Sequence, residues 1–316
     1  MQPIPRDAHG PVAVDGTVRY EPAKSLWVSA MVAVAVVGGW ATFSWPALAV
    51  FLVATATVLL FGHSLGSHRK LVHESYGCPR WLARLFVWLG VQAGIDGPLG
   101  LKRQHDLRDR EQRLAACHPY LRHGAGFVRD AWWQLHCRLV LRSVDSVGRN
   151  DGPTARDPFV AWLERTWRLQ QLPPALALHA LGGWGFVVWG VAARIAACTV
   201  GHWLVGWFAH NRGGLHWQVA DAAVQGRNVP FVSLLTMGEG WHNNHHAFPG
   251  SARLGLAPGE WDPGWWALVG LRRVGLVHGL RLPADLPPRP ELSAAGPADF
   301  GSAVSDAAAA GPARAP

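Results

Sequence analysis

The residues best able to do chemistry in this 316-residue chain are the histidines of Trp241-His242-Asn243-Asn244-His245-His246. On a helix, positions i, i+3 and i+4 share a face, so His242, His245 and His246 can bring three imidazoles to one region. Neutral imidazole is a metal ligand, and this grouping describes a metal-binding element. Other histidines fall in short groups: His68 and His73 in His-Arg-Lys-Leu-Val-His, His105 further on, and His210. Residues five apart, such as His68 and His73, are offset by about 140° on an ideal helix. That pair is expected to serve two different ions, or to have one member past a helix end. Together the groups offer more ligands than one tetrahedral ion uses, so two metal ions are expected. Imidazole-rich sites suit iron, zinc or copper, and the absence of cysteine from these groups argues against an iron–sulfur cluster. His63 reads as lining a helix end, His179 as bonding across helices, and His118, His123 and His136 show no convergent spacing.

Apolar segments must position these groups. Hydrophobic residues make up 49% of the chain and charged residues only 16%, which is low for a soluble protein. Eighteen tryptophans suit membrane–water interfaces. The net charge of +8 comes without a nucleic-acid-binding motif, so it is assigned to a basic cytoplasmic face. Residues 25–43 and 46–63 read as two spans joined at Ser44-Trp45-Pro46, and 173–190 and 193–210 as two more with a break near Gly190 to Arg194. Arg194 is expected to snorkel at that turn. The fold class is therefore all-α and integral to the membrane, with four transmembrane helices and a cytoplasmic helical cap carrying the histidines. The Arg-rich segment between the pairs places the site and both termini in the cytoplasm. Residues 81–95 and 265–277 read as surface helices, 1–24 as a polar arm without signal-peptide character, and 283–316 as a disordered tail. Cys78, Cys117, Cys137 and Cys198 include no Cys-x-x-Cys spacing, so neither a redox motif nor a zinc ribbon is expected.

Over roughly residues 25–280 the sequence resembles the membrane fatty acid desaturases, especially the acyl-CoA type. Gly238-Glu-Gly-Trp-His-Asn-Asn-His-His-Ala-Phe-Pro249 matches the family's third histidine box, His68-x4-His73 the first, and Trp203-Leu-Val-Gly-Trp-Phe-Ala-His210 a segment ending in an iron ligand. The second box departs from its pattern: His105-Asp-Leu-Arg108-Asp109 stands where the family has His-x-x-His-His. Asp109 lies one turn after His105, so both can face one metal, and a carboxylate is a sound iron ligand. Arg108 stays protonated, cannot ligate, and is expected to pair with Asp106 or Asp109. Gly206 replaces a family Asn, with His202 expected to compensate by stacking above Gly206 and His210.

The resemblance implies two Fe2+ ions held by His68, His73, His105, Asp109, His210, His242, His245 and His246. Glu239, Asn243, Asn244 and Arg108 are expected to orient those ligands. It also implies O2-dependent desaturation of a fatty acyl chain carried on coenzyme A, a carrier protein or a lipid. No flavin, haem or nicotinamide motif is visible, so electrons are expected from a separate ferredoxin- or cytochrome-type donor. The alternatives are a hydroxylase or acetylenase on the same scaffold, or a non-catalytic membrane metal-binding protein. Nucleic acid is not an expected partner.

Overall fold

The computed structural model describes residues 14–142 and 152–295. Helices dominate, and three are long and apolar enough to cross a membrane: Pro22–Ala41, Trp45–Val72 and Leu169–Asn211. The first two turn at the expected place. Ser44 caps the second helix, its hydroxyl accepting from Ala47 N, and Pro46 sits in the first turn, where its missing N–H costs nothing.

The second helix does not end at residue 63 but continues to Val72. Its polar end is covered by protein: Ser64, Ser67, His68, Arg69 and Lys70 are all buried. Neighbouring elements bond Ser64, Arg69 and Lys70, so the change in polarity does not stop the helix.

The third apolar stretch also turns elsewhere than expected. It is interrupted at Gly182-Gly183, where Gly183 has φ +68°, a conformation that glycine adopts without steric cost. A methyl group on Gly190 would come within 2.6 Å of Leu178 Cδ1, although a straight helix would hold those residues about 18 Å apart. The stretch is therefore a helical hairpin with unequal arms. Gly190 is used for close packing, not for the turn. Arg194 is buried and donates to Gln171 Oε1 at 2.6 Å, so it does not snorkel.

Between the apolar stretches lie the helices Arg80–Val91, Pro98–Gln112, Phe127–His136 and Pro158–Thr166. The first of these buries Leu82, Phe86, Val87 and Val91, while Trp81 and Leu85 stay exposed. It is clamped to the second long helix, because a Cβ on Gly62 or Gly66 would meet the Leu89 or Phe86 carbonyl oxygen at 2.4 or 2.2 Å. Asp157 caps Pro158–Thr166 through Phe159 N at 2.9 Å and accepts from Arg80 and Arg84, tying this helix to Arg80–Val91.

Two short antiparallel ribbons add to the expected all-helical design. Gly16–Tyr20 pairs with Cys137–Leu141, and Trp217–Val219 with Leu292–Ala294. The Leu292–Ala294 strand of the second ribbon lies inside the tail expected to be disordered. That expectation is corrected for 283–295, because composition does not reveal the anchors that hold this segment. Arg281 donates to the His73 carbonyl at 2.6 Å, and Arg289 to the carbonyls of His246 and Ala247 at 2.7 and 2.8 Å. Residues 296–316 of the expected tail lie outside the described residues. The second expected surface helix is present as Pro263–Arg273.

Candidate metal centre

The second long helix positions the first ligands. Over its last turns it hydrogen-bonds from i+5 to i, and His73 N donates to His68 O at 3.2 Å. Such π-type turns bring residues five apart onto one side. His68 and His73 therefore face the same region, with ring centroids 4.8 Å apart; His73 sits just past the helix end at Val72, the second of the two arrangements expected. His105 arrives from Pro98–Gln112, 5.1 and 5.0 Å from these two rings. His245 arrives from the short helix His242–Ala247, 4.5 and 4.9 Å away. One nitrogen from each of His68, His73, His105 and His245 lies within 4.8 Å of the others.

His210, His242 and His246 form a second such group. His242 Nε2 lies 3.1 Å from His210 Nε2 and 3.0 Å from His246 Nε2. Two nitrogens bound to one ion at about 2.1 Å and at right angles are about 3.0 Å apart. The three histidines of residues 242–246 thus do not converge on one point. The i, i+4 pair faces one group and His245 faces the other. All seven histidines expected as ligands fall into these two groups.

The donors fit metal ions. His73 Nε2 and both ring nitrogens of His245 are buried without a hydrogen-bond partner, an arrangement that a cation would relieve. Burial holds His73, His242 and His246 well below the ordinary imidazole pKa, lowers His245, and brings His105 down to about 3. These rings are therefore neutral at physiological pH, the form that ligates.

Asp109 stands at the rim of the first group. Its Oδ2 is 3.6 Å from His105 Nδ1 and 3.7 Å from His245 Nε2. Burial works to raise its pKa, but His105, the contact with His245 and Arg113 hold it well below the usual carboxylate range. Glu239 sits behind His68, with Oε2 2.6 Å from Nδ1, and accepts from Ser64 Oγ at 2.6 Å and Arg69 at 3.1 Å. There too burial opposes ionisation, and the charges of His68 and Arg69 outweigh it. Arg69 is buried and also donates to Asp262 at 2.8 Å and to the Ala252 carbonyl, fastening the end of the second helix to the chain beyond residue 250.

The other expected orienting residues lie further from the ligands. Arg108 donates to Gln134 Oε1 at 3.0 Å; Asp106 is paired instead with Lys102, and Arg113 lies 3.8 Å from Asp109. Asn243 bonds the backbone of residues 216, 217 and 226, and Asn244 bonds Leu254 O and Glu260. Their side chains brace the short helix through these bonds, none of which goes to an imidazole of either group. Buried Asn228 does the same from outside, its Oδ1 accepting from Asn243 N and Asn244 N. No sequence signal marked it.

His123 was also not foreseen. It is buried, its Nδ1 is 2.9 Å from Asp130 Oδ2, and its ring stacks on His210 with centroids 5.3 Å apart. Gly206 makes room for it, since a Cβ there would lie 2.8 Å from His123 Nε2. His202, expected in that place, pairs with His63 instead, with centroids 5.3 Å apart.

Residues 43–254 match the fatty acid desaturase family model. The sn-2 palmitoyl-lipid 9-desaturase of Nostoc sp. (strain 36) is 35% identical over 238 residues, covering 74% of this chain and 81% of its own. The sn-1 stearoyl-lipid 9-desaturase of Anabaena variabilis is 35% identical over 245 residues, 76% of this chain and 86% of its own. An acyl-CoA 5-desaturase of Anemone leveillei is 31% identical over 250 residues, covering 78% and 75%.

Proposed function

The chain belongs to the fatty acid desaturase family and is an oxidoreductase of lipid metabolism, and from that premise we propose that it is a di-iron, O2-dependent enzyme placing a double bond in a fatty acyl chain. The observation that carries the reading is the pair of buried histidine groups, of four and three imidazoles, at the ends of apolar helices. Each group would hold one Fe2+. When bound, the iron pair supplies oxygen activation and hydrogen abstraction from an unactivated carbon, with electrons arriving from a ferredoxin- or cytochrome-type donor.

The protein's own part is positioning. Glu239, backed by Ser64 and Arg69, is placed to accept the Nδ1–H of His68, which would leave Nε2 to face the ion. Asp109 adds a second carboxylate, beside His105 and His245. An open apolar groove of about 530 Å³ runs between the first long helix and the Phe127–His136 helix, lined by Val28, Val32, Val36, Leu135 and Val200. It offers a wall of the kind that holds an acyl chain in one register, which is catalysis by orientation. The substrate is an acyl chain on a lipid or on coenzyme A, the two carriers in the relatives' names. In this reading four membrane passes hold the site and both termini on the cytoplasmic side.

The test is expression in a host with simple lipids, fatty acid profiling, and iron analysis of the purified protein beside His245→Ala. A new double bond that disappears in the variant is expected. Iron-free protein, or unchanged product in the variant, would sink the reading. Asp109 favours a second reading, hydroxylation, since a changed ligand can redirect the oxidant. A product that gains oxygen, in place of one that loses two hydrogens, would establish it.

A further inference from the structure

The second histidine group has a fourth polar neighbour. Gln112 ends the helix Pro98–Gln112 and is fully buried. Its amide orientation is fixed, because Nε2 donates to Leu121 O at 2.8 Å. The atom facing the histidines is therefore the acceptor Oε1, 3.0 Å from His210 Nε2. His210 is oriented in the same way. Its Nδ1 lies 2.7 Å from Gly206 O, which can only accept, so Nδ1 carries the proton and Nε2 presents its lone pair.

His210 Nε2 then faces an acceptor oxygen at 3.0 Å and a second imidazole nitrogen at 3.1 Å. Gln112 Oε1 and His210 Nε2 are opposed acceptors; a proton on His242 Nε2 could satisfy His210 but not Gln112, whose buried oxygen stays without a donor, which is costly. A cation between Gln112 Oε1 and the imidazoles removes that cost.

We propose that Gln112 supplies its side-chain oxygen as a ligand to the ion held by His210, His242 and His246. The inference rests on the metal-centre reading above. An amide oxygen is a neutral hard donor of a kind used in cation sites. On its helix Gln112 continues the stripe of His105 and Asp109, at i, i+4 and i+7, and so reaches the second group where Arg108 turns away. The two centres become unequal. The first has Asp109 at its rim and Glu239 behind it, while the second has neutral donors only. The second ion is held less tightly and leaves first.

The experiment follows metal retained per chain as chelator is raised, on the full-length iron-loaded protein in detergent. Wild type is expected to lose its ions in two steps. Gln112→Ala should lose the weaker ion at about 10- to 100-fold less chelator. Gln112→Glu keeps an oxygen and loses the bond to Leu121, and should hold that ion at least as tightly as wild type. Unfolding temperatures of the metal-free forms check that the variants fold. A wild-type chelation profile for Gln112→Ala overturns the inference. So does a Gln112→Glu profile that matches Gln112→Ala, since the amide would then matter only for its bond to Leu121. Wild-type protein that binds no metal overturns the underlying reading instead.

Discussion

The Glu239 carboxylate meets His68 Nδ1 at 2.6 Å, joining the third histidine motif to the first through a buried acid–imidazole contact. Glu239→Gln keeps the shape and removes the charge that Arg69 and His68 share. Metal retention at the first centre should fall about 10- to 100-fold, as for other lost outer partners of a ligating histidine. Chelator titration against wild type checks this, and overlapping curves would show that the contact does not tune the metal.

Acid should unfold the metal-free protein early. His73, His105, His242, His245 and His246 have folded-state pKa values below the unfolded value of 6.5, reaching about 3 for His105. Between the two values the unfolded chain binds more protons, so stability rises with pH there. Their contribution is present above 6.5 and is lost as pH falls toward the folded values. Thermal unfolding of chelator-treated protein at about pH 7.5 and about pH 5 should show a clear drop at the lower pH, and iron loading should reduce the drop.

The two residues that break the second box should behave differently. Asp109→Asn removes the carboxylate beside His105 and His245 and should weaken only the first centre. Arg108→Ala should leave iron content unchanged and cost about 1–3 kcal/mol of stability, because it strips a buried partner from Gln134. Elemental analysis together with unfolding midpoints separates the two. Iron loss in Arg108→Ala would place Arg108 in the centre's support.

Helix clamping is tested at Gly66. A Cβ there would lie 2.2 Å from Phe86 O, backbone that cannot swing aside, so Gly66→Ala should cost about 1–3 kcal/mol. Gly201→Ala, with nothing within 4 Å of the new methyl, should be neutral or slightly stabilising. Equal unfolding temperatures for the pair would show that the two helices are not held by that contact.

The sequence revealed which histidines the fold gathers better than how it arranges them. Histidine type and clustering pointed to all seven imidazoles, but the α-helical rule left two arrangements open for His68 and His73, because local i→i+5 bonding and the helix end at Val72 are set by packing. The same rule merged His245 with His242 and His246, which the structure divides between two groups. The turn at Gly182-Gly183 was missed because Gly190 offered an equally plausible break, and only the contact with Leu178 distinguishes them. Gln112, His123 and Asn228 act through partners distant in the chain, so nothing in their local spacing marks them. Arg281 and Arg289 likewise order a segment whose composition reads as disordered.

Those two arginines bear on how the protein matures. Each holds the carbonyl of a grouped histidine, His73 or His246, yet each follows every histidine of the two groups in the chain. A nascent chain emerging from the ribosome presents all seven imidazoles before either clamp has been made. A metal centre of this geometry would thus be completed late in biosynthesis, and a ribosome stalled shortly before residue 281 would carry the histidines but not the means of fixing them.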